Sequence, residues 1–347
     1  MSLTLSASSR IVVLGTGGTI AGTSALPGDE TGYVAGALPI ADLLDGVALP
    51  PKVAIHLEQV AQIDSKDMTL SLWLELRARC VHWLAQDGID GVVVTHGSDT
   101  LEETAFFLHA TIKSSKPIVL TCAMRPATAR SPDGPQNLRD AIAVACTDRA
   151  SGLLVVCAGE VHCAMEVFKA HPYRLNAFSS GDSGPIGYVE EGQLRLVKSW
   201  PRDSRKYLKE GTELPSSPDE WPRVEIVMSH AGACGSMLDA LLTRLDSARS
   251  PAVNGIVIAA TGNGTVHFKL EEAAERAGSL GIAVVSATRC LGGPIVGSPP
   301  GRLRTERVLS AVKARIALML ELACSESKLP PLRRSDDKPL QQLLSKP

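Results

Sequence analysis

Short apolar, β-branched runs recur along this chain with helix-spaced apolar positions between them, and that alternation restricts the fold more than any other feature. The runs are Ile11–Leu14, Gly91–Thr95, Ile118–Thr121, Leu153–Cys157, Val224–Val227, Gly255–Ala259 and Ile282–Ser286. Between them Trp73, Leu76, Cys80 and Leu84 repeat at helical spacing, as do Leu101, Ala105, Leu108 and Ile112, and later Leu238, Leu241, Leu242 and Leu245. Strand–helix alternation of this kind predicts an α/β chain, with parallel sheets carrying helices on both faces.

The pattern breaks between Ser199 and Pro222, a stretch rich in Pro, Ser and charge with no sustained apolar period. It reads as a linker over 199–222. The expected division is then an N-terminal α/β domain over 1–198, a smaller one over 223–325, and a polar, poorly ordered tail over 326–347.

Composition excludes several functions. A formal net charge of −2 gives no bulk electrostatic reason to bind nucleic acid. No apolar run approaches the roughly 20 residues of a spanning helix, so no membrane role is expected. The Ser/Thr-rich start, Met1 to Arg10, lacks a basic segment followed by an apolar one, and a cytoplasmic protein without a secretory signal is expected. Eight cysteines without C-x-x-C spacing read as buried, reduced thiols, and the scattered histidines complete no metal-ligand pattern. No metal and no cofactor are expected.

In open parallel sheets ligands bind beyond the carboxyl ends of the strands, so the segments that follow the strands hold the candidates. After Ile11–Leu14 comes Gly15-Thr16-Gly17-Gly18-Thr19-Ile20. The dinucleotide fingerprint fails because position 20 is Ile, and the Gly-Lys-Ser/Thr ending of a phosphate loop is absent. What remains is a glycine turn framing two hydroxyls, or a bare turn without function. After Gly91–Thr95 comes His96-Gly97-Ser98-Asp99-Thr100, ahead of a helix beginning near Leu101. Ser98 or Asp99 is there either as a helix cap or as part of a site for a small zwitterion or an oxyanion. Two further polar turns follow the same logic, Ile63–Met68 and Cys122–Pro126.

Together, Thr16–Ala21 (TGGTIA), Ile63–Met68 (IDSKDM), Gly91–Leu108 (GVVVTHGSDTLEETAFFL), Ala123–Leu138, the Lys169 region and Gly184–Tyr188 resemble the bacterial-type L-asparaginases. That family is distinct from the plant-type, N-terminal-nucleophile enzymes. The resemblance runs from about Arg10 to Tyr188 and, more weakly, from Val224 to Leu322. It implies a flavodoxin-like parallel-sheet N-terminal domain with a second, smaller α/β domain. It further implies a homotetramer of intimate dimers, each active site completed by its partner, and amide hydrolysis of L-asparagine.

By the same resemblance Thr19 is the primary nucleophile, and Tyr33 is the tyrosine of a mobile loop that hydrogen-bonds it. Ser65 binds the substrate α-carboxylate, Asp99 holds the α-amino group, and Ala123 presents a backbone carbonyl near the departing amide. Ser98, Asp99 and Lys169 match a Thr-Asp-Lys triad, with the Asp99–Lys169 charge pair expected to be buried. Which hydroxyl performs which step, Thr19 or Ser98, stays open.

The chain departs from the family pattern in three places. Position 98 is Ser instead of Thr. Lys66 stands where Gln is common, a cation beside the carboxylate-binding Ser65. Thr288–Arg302 contains no Asp or Glu, whereas the family often supplies an acid there for the amine of the neighbouring subunit's substrate. These departures keep two alternatives beside the asparaginase: a dual glutaminase-asparaginase or other amidase, and a catalytically weak amino-acid-binding protein.

Overall fold

The computed structural model describes residues 9–26, 29–201, 212–243, 253–297, 301 and 303–324. It forms two compact units, Met1–Trp221 with Leu291–Gly293, and Pro222–Cys290 with Pro294–Pro347. The expected tail over 326–347 lies outside the described residues, as does Leu245.

The first unit is built on β1 (Ser9–Gly17), β2 (Val53–Ile63), β3 (Gly91–Thr95), β4 (Ile118–Thr121) and β5 (Leu153–Cys157), which lie parallel in the order 5-4-3-1-2. Helices α2 (Leu70–Leu84) and α3 (Leu101–Thr111) cover one face, and α4 (Gly134–Ala145) the other; a short α1 (Ile40–Leu43) lies against β1 and β2. With both faces covered, the inner strands are apolar at consecutive positions. Ile11, Val13, Val93, Val119, Leu154 and Val156 join the α4-side core with Leu138 and Ile142. Their neighbours Val12, Leu14, Val92, Val94, Leu120 and Val155 are equally buried.

The sheet is not parallel throughout. Beyond β5 it continues through β6 (Glu160–Cys163), β9 (Gly187–Glu190) and β10 (Gln193–Leu196), all antiparallel, while β7 (Phe168–Lys169) and β8 (Phe178–Ser179) form a small ribbon apart. Residues 212–221, within the stretch read as a linker, include a buried Trp221 whose Nε1 donates to the Pro215 carbonyl.

The second unit is a four-stranded parallel sheet, β11 (Arg223–Met228), β12 (Val253–Ala260), β13 (Ala283–Thr288) and β14 (Arg304–Glu306). Helices α5 (Ser236–Thr243) and α6 (Phe268–Ser279) pack on one another, and α7 (Ala311–Ala323) lies on β11–β13. Its core draws on Leu238, Ile256, Ile258, Leu270 and Ala274. The α/β architecture inferred from the alternation is the one observed.

The thiols need a correction. Five cysteines are buried as expected, but Cys234 and Cys290 are exposed. Both sit in turns after strands, Cys234 ahead of α5 and Cys290 after β13, where no apolar run surrounds them. Among the described residues no helix is long and apolar enough to cross a membrane.

Candidate active site

The register of the parallel strands brings the candidate turns to one edge of the first unit. Gly17 at the end of β1 is level with Ile63 at the end of β2, Gly15 with Thr95, and Thr95 with Thr121. The Thr19, Ser65, Ser98 and Ala123 turns therefore leave the sheet side by side, at the strands' carboxyl ends.

Glycine lets those turns touch. A Cβ on Gly18 would collide with the Gly97 Cα, and one on Gly97 would come within 2.7 Å of the Ser65 Cβ. Gly18 also has φ +83°, a left-handed conformation that glycine alone adopts freely. The loops carrying Thr19 and Ser98 are thus in backbone contact, and the Ser65 side chain packs directly on the Gly97 backbone. Thr100 ties two of them further, its Oγ1 donating to the Ser65 carbonyl at 2.8 Å.

Thr19 opens a one-turn 3₁₀ segment and is 7% exposed. Its Oγ1 lies 2.7 Å from the Tyr33 hydroxyl, and either oxygen can donate. Tyr33 arrives on a loop closed by the Thr23–Val34 bridge. Within that loop Asp29 accepts from the Gly32 and Thr31 amides, bonds that hold its carboxyl below the usual range. The next residue, Glu30, receives a hydrogen bond from the Tyr173 hydroxyl and faces Arg125 at 3.6 Å, so the Tyr33 loop is fastened to the body of the unit. Ala123 is fully buried in a small cluster with Ile20 and Ala21, the two residues that follow Thr19 in the chain.

Lys169 comes from the β7 ribbon. Its Nζ donates to Ser98 Oγ at 2.8 Å and to Asp99 Oδ1 at 2.5 Å. The capping alternative is not realised: α3 starts after Thr100 with no side-chain cap, and the Ser98 and Asp99 side chains are engaged by the lysine. The pair is less enclosed than expected, since the Lys169 side chain is 16% exposed but that of Asp99 is 57% exposed. In the turn between β3 and α3 the Ser98 side chain is buried, and Asp99, the next residue, is exposed. Glu102, in the first turn of α3, is a further residue of the site that the sequence motifs do not single out. In the structure its carboxylate accepts the Lys169 backbone N–H at 2.7 Å and so places the lysine. Spacing along the chain cannot show a contact across 67 residues.

Ser65 is buried, 2% exposed, at the start of a 3₁₀ turn. Lys66 points the other way, its exposed ammonium 2.5 Å from Asp64 and 3.4 Å from Asp67. The cation beside Ser65 is thereby met by two carboxylates. All eight sequence-assigned residues, Thr19, Tyr33, Ser65, Lys66, Ser98, Asp99, Ala123 and Lys169, belong to the first unit. Among the described residues no cluster of His, Cys, Asp and Glu has the make-up of a metal site.

A buried hydroxyl paired with a phenol, beside a second hydroxyl held by a lysine, is equipment for nucleophilic attack on a carbonyl. Comparison with known proteins shows which family the chain belongs to. Residues 10–202 match the family described as Asparaginase, N-terminal, and residues 223–329 the Glutaminase/Asparaginase C-terminal domain. L-asparaginase 2 of Bacillus subtilis (strain 168) is 36% identical over 319 residues, 90% of this chain and 82% of that protein. A glutaminase-asparaginase of Pseudomonas fluorescens biotype A is 35% identical over 294 residues, 83% of this chain and 77% of that one. The crystal structure of a probable cytoplasmic L-asparaginase from Campylobacter jejuni superposes with a TM-score of 0.81 at 36% identity, covering 92% of this chain and 97% of that one. With both family domains matched in order along one chain, and the glycine-linked hydroxyls at the edge of its sheet, this protein belongs to the asparaginase family.

Proposed function

We propose that this chain is an L-asparagine amidohydrolase that releases L-aspartate and ammonia through an ester on Thr19. The observation that carries the proposal is the pairing of Thr19 with Tyr33 at 2.7 Å, on a loop in backbone contact with the one bearing Ser98. Thr19 Oγ1 attacks the side-chain amide carbon, and its proton passes by way of Tyr33 to the departing nitrogen, which leaves as ammonia. Water then opens the ester, giving aspartate and returning the proton to Thr19. Lys169 donates to the Ser98 oxygen, which leaves the Ser98 O–H to hydrogen-bond toward the reacting groups and hold them in place during attack and ester opening. Ser65 receives the substrate carboxylate, Asp99 its amine, and the Ala123 carbonyl faces the leaving nitrogen. The relatives' names support the substrate, and the Campylobacter jejuni neighbour supports a cytoplasmic setting. The proposed assembly is a homotetramer of intimate dimers.

A second reading, a dual glutaminase-asparaginase, is favoured by the Pseudomonas fluorescens relative. Packing alone discriminates one methylene by about 1–3 kcal/mol. Thr288–Arg302 holds no acid to fix the amine of a longer substrate in a reactive pose. Asparagine is therefore preferred, with glutamine turned over at roughly a few per cent of its efficiency or less. Ammonia release from asparagine, glutamine and simple amides tests this. Equal kcat/KM for the first two favours the dual enzyme, and binding without ammonia refutes hydrolysis.

A further inference from the structure

Behind the Ser98 turn lies a buried polar chain that the reaction scheme does not use. Trp73 Nε1 of α2 donates to Thr104 Oγ1 of α3 at 2.8 Å. Thr104 Oγ1 lies 2.9 Å from His96 Nε2, and His96 Nδ1 lies 2.7 Å from the Gly97 carbonyl oxygen. His96 and Thr104 are fully buried, and Trp73 is 6% exposed.

The end groups determine every hydrogen in this chain. An indole N–H only donates and a carbonyl oxygen only accepts. His96 Nδ1 must therefore carry a proton. Burial pushes the imidazole down to about 4, so at neutral pH its other nitrogen is an acceptor and takes the Thr104 hydroxyl proton. The Thr104 oxygen in turn accepts from Trp73. Each donor meets one acceptor, and the chain runs in a single direction from α2 to the Gly97 carbonyl.

That carbonyl belongs to the peptide leading into Ser98. The peptide is trans and planar, so anchoring its oxygen in the core turns the Ser98 N–H to the opposite side. On its remaining sides Gly97 meets Gly18 and Ser65. We infer that His96, held in one tautomer by Thr104 and Trp73, is a positioning residue that fixes the Gly97–Ser98 peptide plane and so aims Ser98 at the substrate. This role rests on the proposed participation of Ser98 in the reaction.

Kinetics with asparagine, alongside neutron crystallography of the wild-type protein, tests it. Thr104→Val removes the hydroxyl at nearly constant shape and lowers kcat about tenfold, with KM changed by less than about twofold. Thr104→Ser restores the hydroxyl and recovers kcat to within about twofold. Trp73→Phe keeps the aromatic stack on Phe107, whose ring centroid is 5.0 Å away, and lowers kcat by about threefold. The neutron map places a proton on His96 Nδ1 and none on Nε2. An unchanged kcat in folded Thr104→Val, a Thr104→Ser loss as deep as that of Val, or a proton on Nε2 overturns the role. If Thr104→Val does not fold, an unchanged kcat in Trp73→Phe overturns it. Wild-type kcat in Ser98→Ala removes the Ser98 assignment and this role with it. With Ser98→Ala inactive, unchanged kcat in Thr104→Val overturns the positioning role alone.

Discussion

Gly18 and Gly97 meet backbone to backbone, and a Cβ on the first would come within 2.3 Å of the Cα of the second. These two residues precede Thr19 and Ser98, so the separation of the two hydroxyl-bearing turns is set by the absence of two side chains. The left-handed conformation of Gly18 alone makes a substituent cost about 1–3 kcal/mol, and the collision adds to it. Gly18→Ala is therefore expected to lower both unfolding free energy and kcat. Denaturant unfolding together with steady-state kinetics checks it, and wild-type values for both would show that the contact is dispensable.

Thr19→Ala should lower kcat on the order of 10³-fold, about 4 kcal/mol of transition-state stabilisation, while asparagine still binds through Ser65 and Asp99. Tyr33→Phe keeps the ring and removes the hydroxyl 2.7 Å from Thr19, and should lower kcat by about 10²-fold as a lost proton-transfer step. Isothermal titration with asparagine on the slow variants separates binding from turnover. Undiminished kcat in Thr19→Ala contradicts the nucleophile.

Asp99→Asn is expected to hurt more than Lys66→Gln. With Asp99 57% exposed, its pair with Lys169 is worth little as stability, so the loss appears in kcat/KM through the amine contact and the placement of Lys169. Lys66 is exposed and satisfied by Asp64 and Asp67, a solvent-screened contact whose loss changes little. Comparing kcat/KM of the two variants decides it; equal losses would move the pocket away from Asp99.

Two buried groups give stability opposite slopes in acid. The unfolded chain protonates His96 near 6.5, whereas burial delays this to about 4 in the fold. Its contribution is whole above 6.5 and is lost as pH falls toward 4, about 3 kcal/mol in all. Burial raises the Asp140 carboxyl from 3.8 to about 6, so between those values the fold keeps a proton that the unfolded chain has released. That term destabilises as pH rises. Asp140→Asn removes it, and the variant should gain on wild type by about 2–3 kcal/mol between pH 4 and pH 7. Urea unfolding at both pH values measures the difference, and a constant offset would mean that Asp140 titrates normally.

The amino-acid sequence by itself determined the strand–helix alternation, because strands covered on both faces must be apolar at consecutive positions; Ile11–Leu14 and Gly91–Thr95 are such runs. It did not reveal β2, which lies at the sheet edge and mixes half-buried with exposed residues such as Ala54 and His56, nor the antiparallel β6, β9 and β10, whose short segments carry no long period. At the site, the TGGTIA and THGSD segments mark the two turns that bear Thr19 and Ser98. Only the tertiary structure decided that Gly18 touches Gly97, that Lys169 reaches Ser98 across 71 residues with its backbone held by Glu102, and that Lys66 turns to its own acidic neighbours. Pattern records which face of an element is buried. Contact between residues distant in the chain depends on strand order and register, which local preference does not encode.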